Sequence, residues 1–229
     1  AAIVFEPVQG EGGFIPAPIE WVKAVREICD KHGILMVCDE VQCGWARSGK
    51  MFASQYFADA GCAPDIMTTA KSIAAGLPLS AVTARAEIMD AVTGGTIGGT
   101  FGANAVSAAS ALKVVEVMER DDYPAKAMHI ADIAMKKFNE WKDKYECVGD
   151  VRGMGAMMGI EFVKDKASKT PDAELVGAIV QDAMNHGLML EAAGTYNNVI
   201  RFLCPLCVTD EQLNAGLEIL ENSIKACAK

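Results

Sequence analysis

The sequence predicts an α/β fold: a mostly parallel sheet covered by helices on both faces, followed by a smaller α+β domain. Three observations predict it. Short continuous apolar runs recur through the first hundred residues, each closed by a polar or ionisable residue. Between them, apolar residues return at helical spacing. After the Asp121-Asp122-Tyr123-Pro124 punctuation, helices interleave with short strands, so the domains are predicted as 1–120 and 121–229.

Taken in order, Ala1 to Phe5 is a buried strand ending at Glu6-Pro7. Beyond a glycine-rich turn, Pro18 suits the first helical position, and Ile19, Val22, Val25, Ile28 and Cys29 form a helical face that stops at His32-Gly33. Ile34 to Cys38 is a second strand, closed by Asp39-Glu40. A third, Ile66 to Ala70, is entered from Pro64-Asp65 and ends at Lys71; a fourth is Leu79 to Arg85. Asn104 to Glu119 reads as a long helix burying Ala108, Ala111, Leu112, Val115 and Met118. The second domain holds helices over Ala125 to Lys144, Ala173 to His186 and Asp210 to Ala226, with strands near Gly155 to Val163 and Val199 to Leu203.

Composition narrows the function. The chain has 229 residues, 51% hydrophobic and 22% charged, which is ordinary globular usage. A formal charge of −9, with no Lys/Arg cluster, argues against nucleic acid or an anionic membrane surface as partner. No apolar run is long enough to span a bilayer and no signal-peptide pattern is present, so a cytoplasmic protein is expected. The eight cysteines read as reduced thiols packed as small hydrophobes. Cys204-Pro205-Leu206-Cys207 has metal or redox spacing but no second Cys/His pair. Gly153-Met154-Gly155 with Gly159 runs into a strand and not the helix that a dinucleotide site needs. His32 and His186 each precede a glycine at a helix end, where they favour the dipole.

Ligands in open α/β sheets bind beyond the carboxyl ends of parallel strands, and the residues there are Glu6, Asp39 and Lys71. Each alone has a plain structural reading: Asp39 can cap a helix, and Lys71 can be a solvated loop lysine. Together they outline a polar site in an apolar rim. A lysine just past a buried strand is placed for desolvation, which disfavours its ammonium form and suits a Schiff-base nucleophile. An aspartate at a neighbouring strand end suits a protonated pyridine nitrogen, the arrangement that pyridoxal phosphate requires. Gly94 to Thr100, running into the next helix, offers backbone donors and a hydroxyl for a phosphate.

Four stretches then carry a resemblance. Glu6-Pro7-Val8-Gln9-Gly10-Glu11-Gly12-Gly13, Asp39-Glu40-Val41-Gln42 with Gly44 and Arg47, Ala63-Pro64-Asp65 through Ala70-Lys71-Ser72, and Gly98-Gly99-Thr100-Phe101 with Asn104 resemble class III pyridoxal-phosphate aminotransferases, in order along the chain. Gly194 to Arg201 and Pro78 to Val82 look most like 4-aminobutyrate aminotransferases within that class. The resemblance implies fold-type I (aspartate aminotransferase-like), with part of a large cofactor domain and a small C-terminal domain. It implies pyridoxal 5'-phosphate as cofactor and a homodimer.

The same resemblance assigns roles. Lys71 is expected to form the Schiff base and shuttle the proton, Asp39 to hold the ring nitrogen protonated, and Gln42 to bond the ring's 3'-oxygen. Thr100 would reach the phosphate of the partner subunit's cofactor. Arg201 would clamp the α-carboxylate of glutamate or 2-oxoglutarate, and Glu11 would pair with Arg201 when the substrate lacks one. Glu6 would contribute a hydrogen bond near the ring. The implied reaction passes an amino group from an ω-amino acid, 4-aminobutyrate foremost, to a 2-oxo acid; acetylornithine and ornithine are alternative donors.

Departures accompany the resemblance. The family's Gly-Phe-Gly-Arg reads Gly44-Trp45-Ala46-Arg47 here, and its Asn-Pro reads Asn104-Ala105. The family's phosphate cup, ring-stacking aromatic and distal-carboxylate arginine have no counterpart in these residues. The chain opens at Ala1, inside an apolar run. A chain lacking its natural beginning is therefore expected, weakly active by itself or a non-catalytic remnant.

Overall fold

The computed structural model describes residues 1–96 and 98–228; Ile97, within the glycine-rich stretch, lies outside the described residues. In chain order the elements are β1 (Ala2–Phe5), β2 (Val8–Gln9), β3 (Ile15–Pro16), α1 (Ile19–His32), β4 (Leu35–Asp39), α2 (Ser54–Asp59), β5 (Ile66–Thr69), a 3-10 turn (Lys71–Ala74), β6 (Ala81–Ala84), α3 (Ala86–Met89), α4 (Ala105–Arg120), α5 (Tyr123–Lys144), β7 (Val148–Met154), β8 (Met157–Phe162), α6 (Ala173–Asn185), β9 (Glu191–Ala193), β10 (Val199–Phe202) and α7 (Asp210–Cys227). The chain divides into two compact units. The first comprises Ala1–Pro7, Ala17–Ala46 and Lys50–Pro124; the second comprises Val8–Pro16, Arg47–Gly49 and Ala125–Lys229. A single cut between 120 and 121 takes no account of the two early segments that join the second unit.

In the first unit the sheet order is β1-β4-β5-β6. The first three strands are parallel, with Phe5 opposite Cys38 and Cys38 opposite Met67. Strand β6 is antiparallel to β5, with Thr68 opposite Val82. The reason is reach: a parallel return needs a crossover of about a dozen residues or more, and residues 70–80 supply only a 3-10 turn and a Gly76-Leu77-Pro78 bend. Helix α1 covers one face, where Val22, Val25 and Cys29 meet Met36, Cys38 and Phe57 in a buried cluster. Cover on both faces is not what the structure has, since Val4 and Val82 are 64% and 55% exposed.

Other sequence expectations shift by a residue or a face. Pro18 is the N-cap of α1 with ψ 137°, outside the helix that starts at Ile19. Ile28 of that helix is half exposed. In α4 the buried residues are Ser107 and Met118, while Leu112 faces solvent. Ala111, Val114 and Val115 pack instead beside Ile73 and Ala74 of the 3-10 turn. Pro124 stands in the first turn of α5, where its missing N–H costs no intrahelical bond.

The second unit holds an antiparallel sheet, β7-β8-β10-β9, with β2 and β3 as a separate hairpin. Phe138 on α5 packs edge-on against Phe202 on β10 at 5.3 Å, with Trp141 alongside. Helix α7 opens on a Thr209/Gln212 capping box. Gly153 and Gly155 serve the β7–β8 hairpin. A Cβ at Gly153 would lie 2.4 Å from the Met157 carbonyl oxygen, and one at Gly155 would lie 2.4 Å from the Ser48 backbone. Among the described residues, no helix is long and apolar enough to cross a membrane.

Candidate active site

The register of the first sheet decides what stands at its carboxyl edge. Phe5, Cys38 and Met67 form one row, so Glu6, Asp39 and Thr68 form the next, and Lys71 follows three residues later. Glu6 is half-buried. Among the described residues the Asp39 carboxylate accepts one hydrogen bond, from the Val41 N–H at 2.9 Å. Its neighbour Glu40 takes the capping role: wholly buried, it accepts from Ala53 N at 3.0 Å and Ser54 N at 2.5 Å, closing the start of α2. Strand alternation separates the two carboxylates and leaves Asp39 on the sheet face away from α1.

Lys71 begins the 3-10 turn with φ 49°, a left-handed conformation that costs a non-glycine residue of order 1 kcal/mol or more. Among the described residues its amine has no ion pair or hydrogen bond, and it lines a 610 Å³ cleft shared with Ser72, Ser110, Lys113, Val117 and Tyr123. The side chain is exposed. The expected desolvation of Lys71 is therefore not provided by this chain. Ala70 and Gly76 flank a turn too open to shield it.

Two side-chain oxygens near this edge, Gln42 Oε1 and Thr68 Oγ1, are buried without a partner. Buried polar atoms are ordinarily satisfied, and orphans call for an explanation. A pyridine ring with polar substituents, set between Asp39 and Lys71, would supply partners of the right chemistry. Thr68 was not singled out by the sequence; its position opposite Asp39 was the available signal.

Thr100 is exposed, as are Gly98, Gly99 and Phe101. The N-terminus of α4 is already closed by Asn104, whose Oδ1 accepts from Val106 N at 3.0 Å and Ser107 N at 3.1 Å. Ala105 takes the first helical position, where a proline would also fit. Ala46 carries φ 67°, the left-handed geometry that glycine tolerates best, so its substitution leaves the turn's shape intact at some strain.

Glu11 and Arg201 belong to the second unit. Arg201 on β10 donates from Nη1 to Glu11 Oε1 at 2.5 Å and from Nη2 to Glu191 on β9. The side chain is only 11% exposed and stacks 6.0 Å above the Phe14 ring. The glycines around Glu11 explain its position. Gly13 adopts φ 108°, and a Cβ there would press on Arg152, Val199 and Gly194 at 3.1 to 3.3 Å. Gly194 N in turn donates to Glu11 O at 2.9 Å. Beside Arg201 lies a 430 Å³ pocket walled by Leu190, Leu203, Pro205 and Leu213, of the size and character of a small-ligand site. Glu191 was not anticipated, because a three-residue strand carries too little pattern to be seen.

Arg47, in the same motif as Asp39, is structural. Burial pulls its guanidinium down from its ordinary range, and it donates to the carbonyls of Cys204 at 2.7 Å and Ala156 at 3.3 Å. Burial pushes the Cys204 thiol up, away from the thiolate that metal binding or redox chemistry uses. No disulfide joins any of the eight cysteines among the described residues.

The model of the family "Aminotransferase class-III" matches residues 1–224. The chain belongs to the class III aminotransferases. These enzymes depend on pyridoxal 5'-phosphate, and the orphaned oxygens beside Asp39 fit that group. Among class III aminotransferases, the chain is 46% identical over 221 residues to the 5-aminovalerate aminotransferase DavT of Pseudomonas putida, covering 96% of this chain and 51% of that protein. It is 44% identical over 226 residues to a probable 4-aminobutyrate aminotransferase of Bacillus subtilis, covering 99% and 51%. Among solved structures, it matches an aminotransferase of Bacillus anthracis with a TM-score of 0.91 at 33% identity, covering 99% of this chain and 52% of that one. A taurine:2-oxoglutarate aminotransferase of Bifidobacterium kashiwanohense, in complex with PLP and glutamate, matches with a TM-score of 0.89 at 30% identity, covering 98% and 51%. The chain thus spans about half the length of the curated relatives it matches.

Proposed function

We propose that this chain carries the reacting lysine of a pyridoxal-phosphate-dependent transaminase that moves the amino group of an ω-amino acid, 4-aminobutyrate first, to 2-oxoglutarate. The observation that carries it is the placement of Asp39 and of the Lys71 amine, partnerless among the described residues, at the carboxyl edges of adjacent parallel strands. Bound there, pyridoxal 5'-phosphate supplies an electron sink for the carbon that bears the amine. Asp39, through the carboxylate oxygen that Val41 does not use, holds the proton on the ring nitrogen. Lys71 Nζ would hold the cofactor and move the proton at the substrate carbon. Gln42 bonds the ring oxygen and Glu6 supports that edge. Thr100 serves the phosphate of a neighbouring subunit in a homodimer.

Arg201 clamps the acceptor's α-carboxylate through its planar fork. Glu11 neutralises Arg201 when the donor has no carboxylate there, because an unpaired half-buried guanidinium is costly. In this reading residues 1–120 are part of the cofactor domain, 121–229 form the small domain, and the protein works in the cytoplasm. The name of the Pseudomonas putida relative favours a second donor, 5-aminovalerate, one methylene longer.

The test is direct. Pyridoxal phosphate is added to the chain, borohydride is applied, and the peptide carrying the reduced cofactor is identified by mass. Label on Lys71, abolished in Lys71→Ala, is expected. Label spread over surface lysines, or none, would sink the assignment and leave the chain a non-catalytic piece.

A further inference from the structure

We propose that Glu191 is a second gate on Arg201, and that it sets how tightly the enzyme takes its 2-oxo acid acceptor. The proposal rests on the reading of Arg201 as the acceptor clamp. A guanidinium grips a carboxylate best with two parallel N–H groups. In this structure Glu11 engages Nη1 and Glu191 engages Nη2. The remaining nitrogen, Nε, is buried without a partner and out of reach of solvent. An incoming carboxylate therefore meets only the two Nη groups, and each already donates one of its two N–H bonds to a glutamate. If Glu11 alone withdraws, one Nη is left unshared; a grip by two unshared Nη groups needs Glu191 to withdraw as well.

Glu191 is not there by chance of rotamer. It stands directly opposite Arg201 in the antiparallel pairing of β9 with β10, the register in which cross-strand side chains meet. The main chain of Glu11 is bound to Gly194, one residue beyond the end of β9, so both carboxylates are hung on the same short strand. Both carboxylates stand where water can take over their hydrogen bonds: Glu11 and Glu191 are 76% and 67% exposed, against 11% for Arg201. Two carboxylates on one guanidinium also leave a net negative charge, which opposes a dicarboxylate acceptor and does not oppose a donor with no carboxylate at that point.

The test uses the protein loaded with pyridoxal phosphate, and reads binding by calorimetry as well as turnover. Glu191→Gln, with Glu191→Ser as a second variant, is expected to tighten 2-oxoglutarate binding by about three- to tenfold and lower its KM by the same factor. Both variants should leave kcat and the affinity for 4-aminobutyrate within about twofold. Arg201→Gln should abolish 2-oxoglutarate binding. Unchanged or weakened acceptor binding in both Glu191 variants, with loss in Arg201→Gln, would overturn the gate and leave the clamp standing. Acceptor binding that survives in Arg201→Gln, or none by the unaltered protein, would overturn both.

Discussion

Adjacent residues of like chemistry take opposite parts in this chain. Asp39 and Glu40 are both carboxylates at one strand end, yet Glu40 is swallowed by the N-terminus of α2 while Asp39 keeps an oxygen uncommitted. The sequence placed the site at Asp39 but offered helix capping as the alternative for that same residue; strand alternation hands the capping to the neighbour. Left-handed backbone marks the same edge, at Lys71 with φ 49° and at Ala75 with φ 51°. Ala75 is exposed, so replacing its methyl loses no burial while relieving the strain. Ala75→Gly should raise stability by about 0.5–1 kcal/mol in urea unfolding. A destabilisation of that size would overturn the strain argument.

Whole elements were legible where they were long and periodic, and illegible where glycine or brevity broke the pattern. Helices α1, α5, α6 and α7 fall within a few residues of their sequence bounds. Strand β7 was missed as a strand because Val148-Gly149-Asp150-Val151-Arg152-Gly153 reads as turn chemistry. The glycines in this strand and just beyond it are there for contact, and that is measurable. A Cβ at Gly155 would meet backbone of Arg47, Ser48 and Gly49 at 2.4 to 2.8 Å, which nothing flexible can relieve. Gly155→Ala should cost about 2–4 kcal/mol. Gly187 also has a positive φ, 89°, but open space around it, so Gly187→Ala should cost only about 1 kcal/mol. Equal costs at the two positions would refute the contact explanation. The direction of β6 was likewise beyond the sequence, which marks a strand but not which way it runs.

Across the molecule, stability should depend on acid through a few tied carboxylates. Burial opposes ionisation of Asp65, but the Met36 N–H, Arg26 and Arg85 outweigh it and hold the carboxyl below its usual range. Glu221, bonded to Lys144, Tyr145 and Lys225, is pushed down to about 2. Both are depressed on folding, so their stabilisation is fully present above the unfolded carboxylate values near 4 and drains as pH falls toward the folded ones. Unfolding free energies of the unaltered chain and of Glu221→Gln should converge between about pH 5 and pH 2. A constant gap across that window would discount the ion cluster. The candidate site was legible in part because strand ends advertise ionisable residues; Thr68 and Glu191, which stand opposite Asp39 and Arg201 across their sheets, become visible only when the register is known.

The backbone passes between the two compact units at 7/8, 16/17, 46/47, 49/50 and 124/125. The unit that contains Arg201 is accordingly not a module that can be lifted out with one pair of cuts. A polypeptide restricted to residues 125–229 would leave behind the hairpin bearing Glu11, the Gly13 carbonyl that Arg152 grips at 2.9 Å and the Arg47 that ties Ala156 to Cys204. Recombining this unit with that of a relative calls for junctions that carry those two short early segments along with the C-terminal portion.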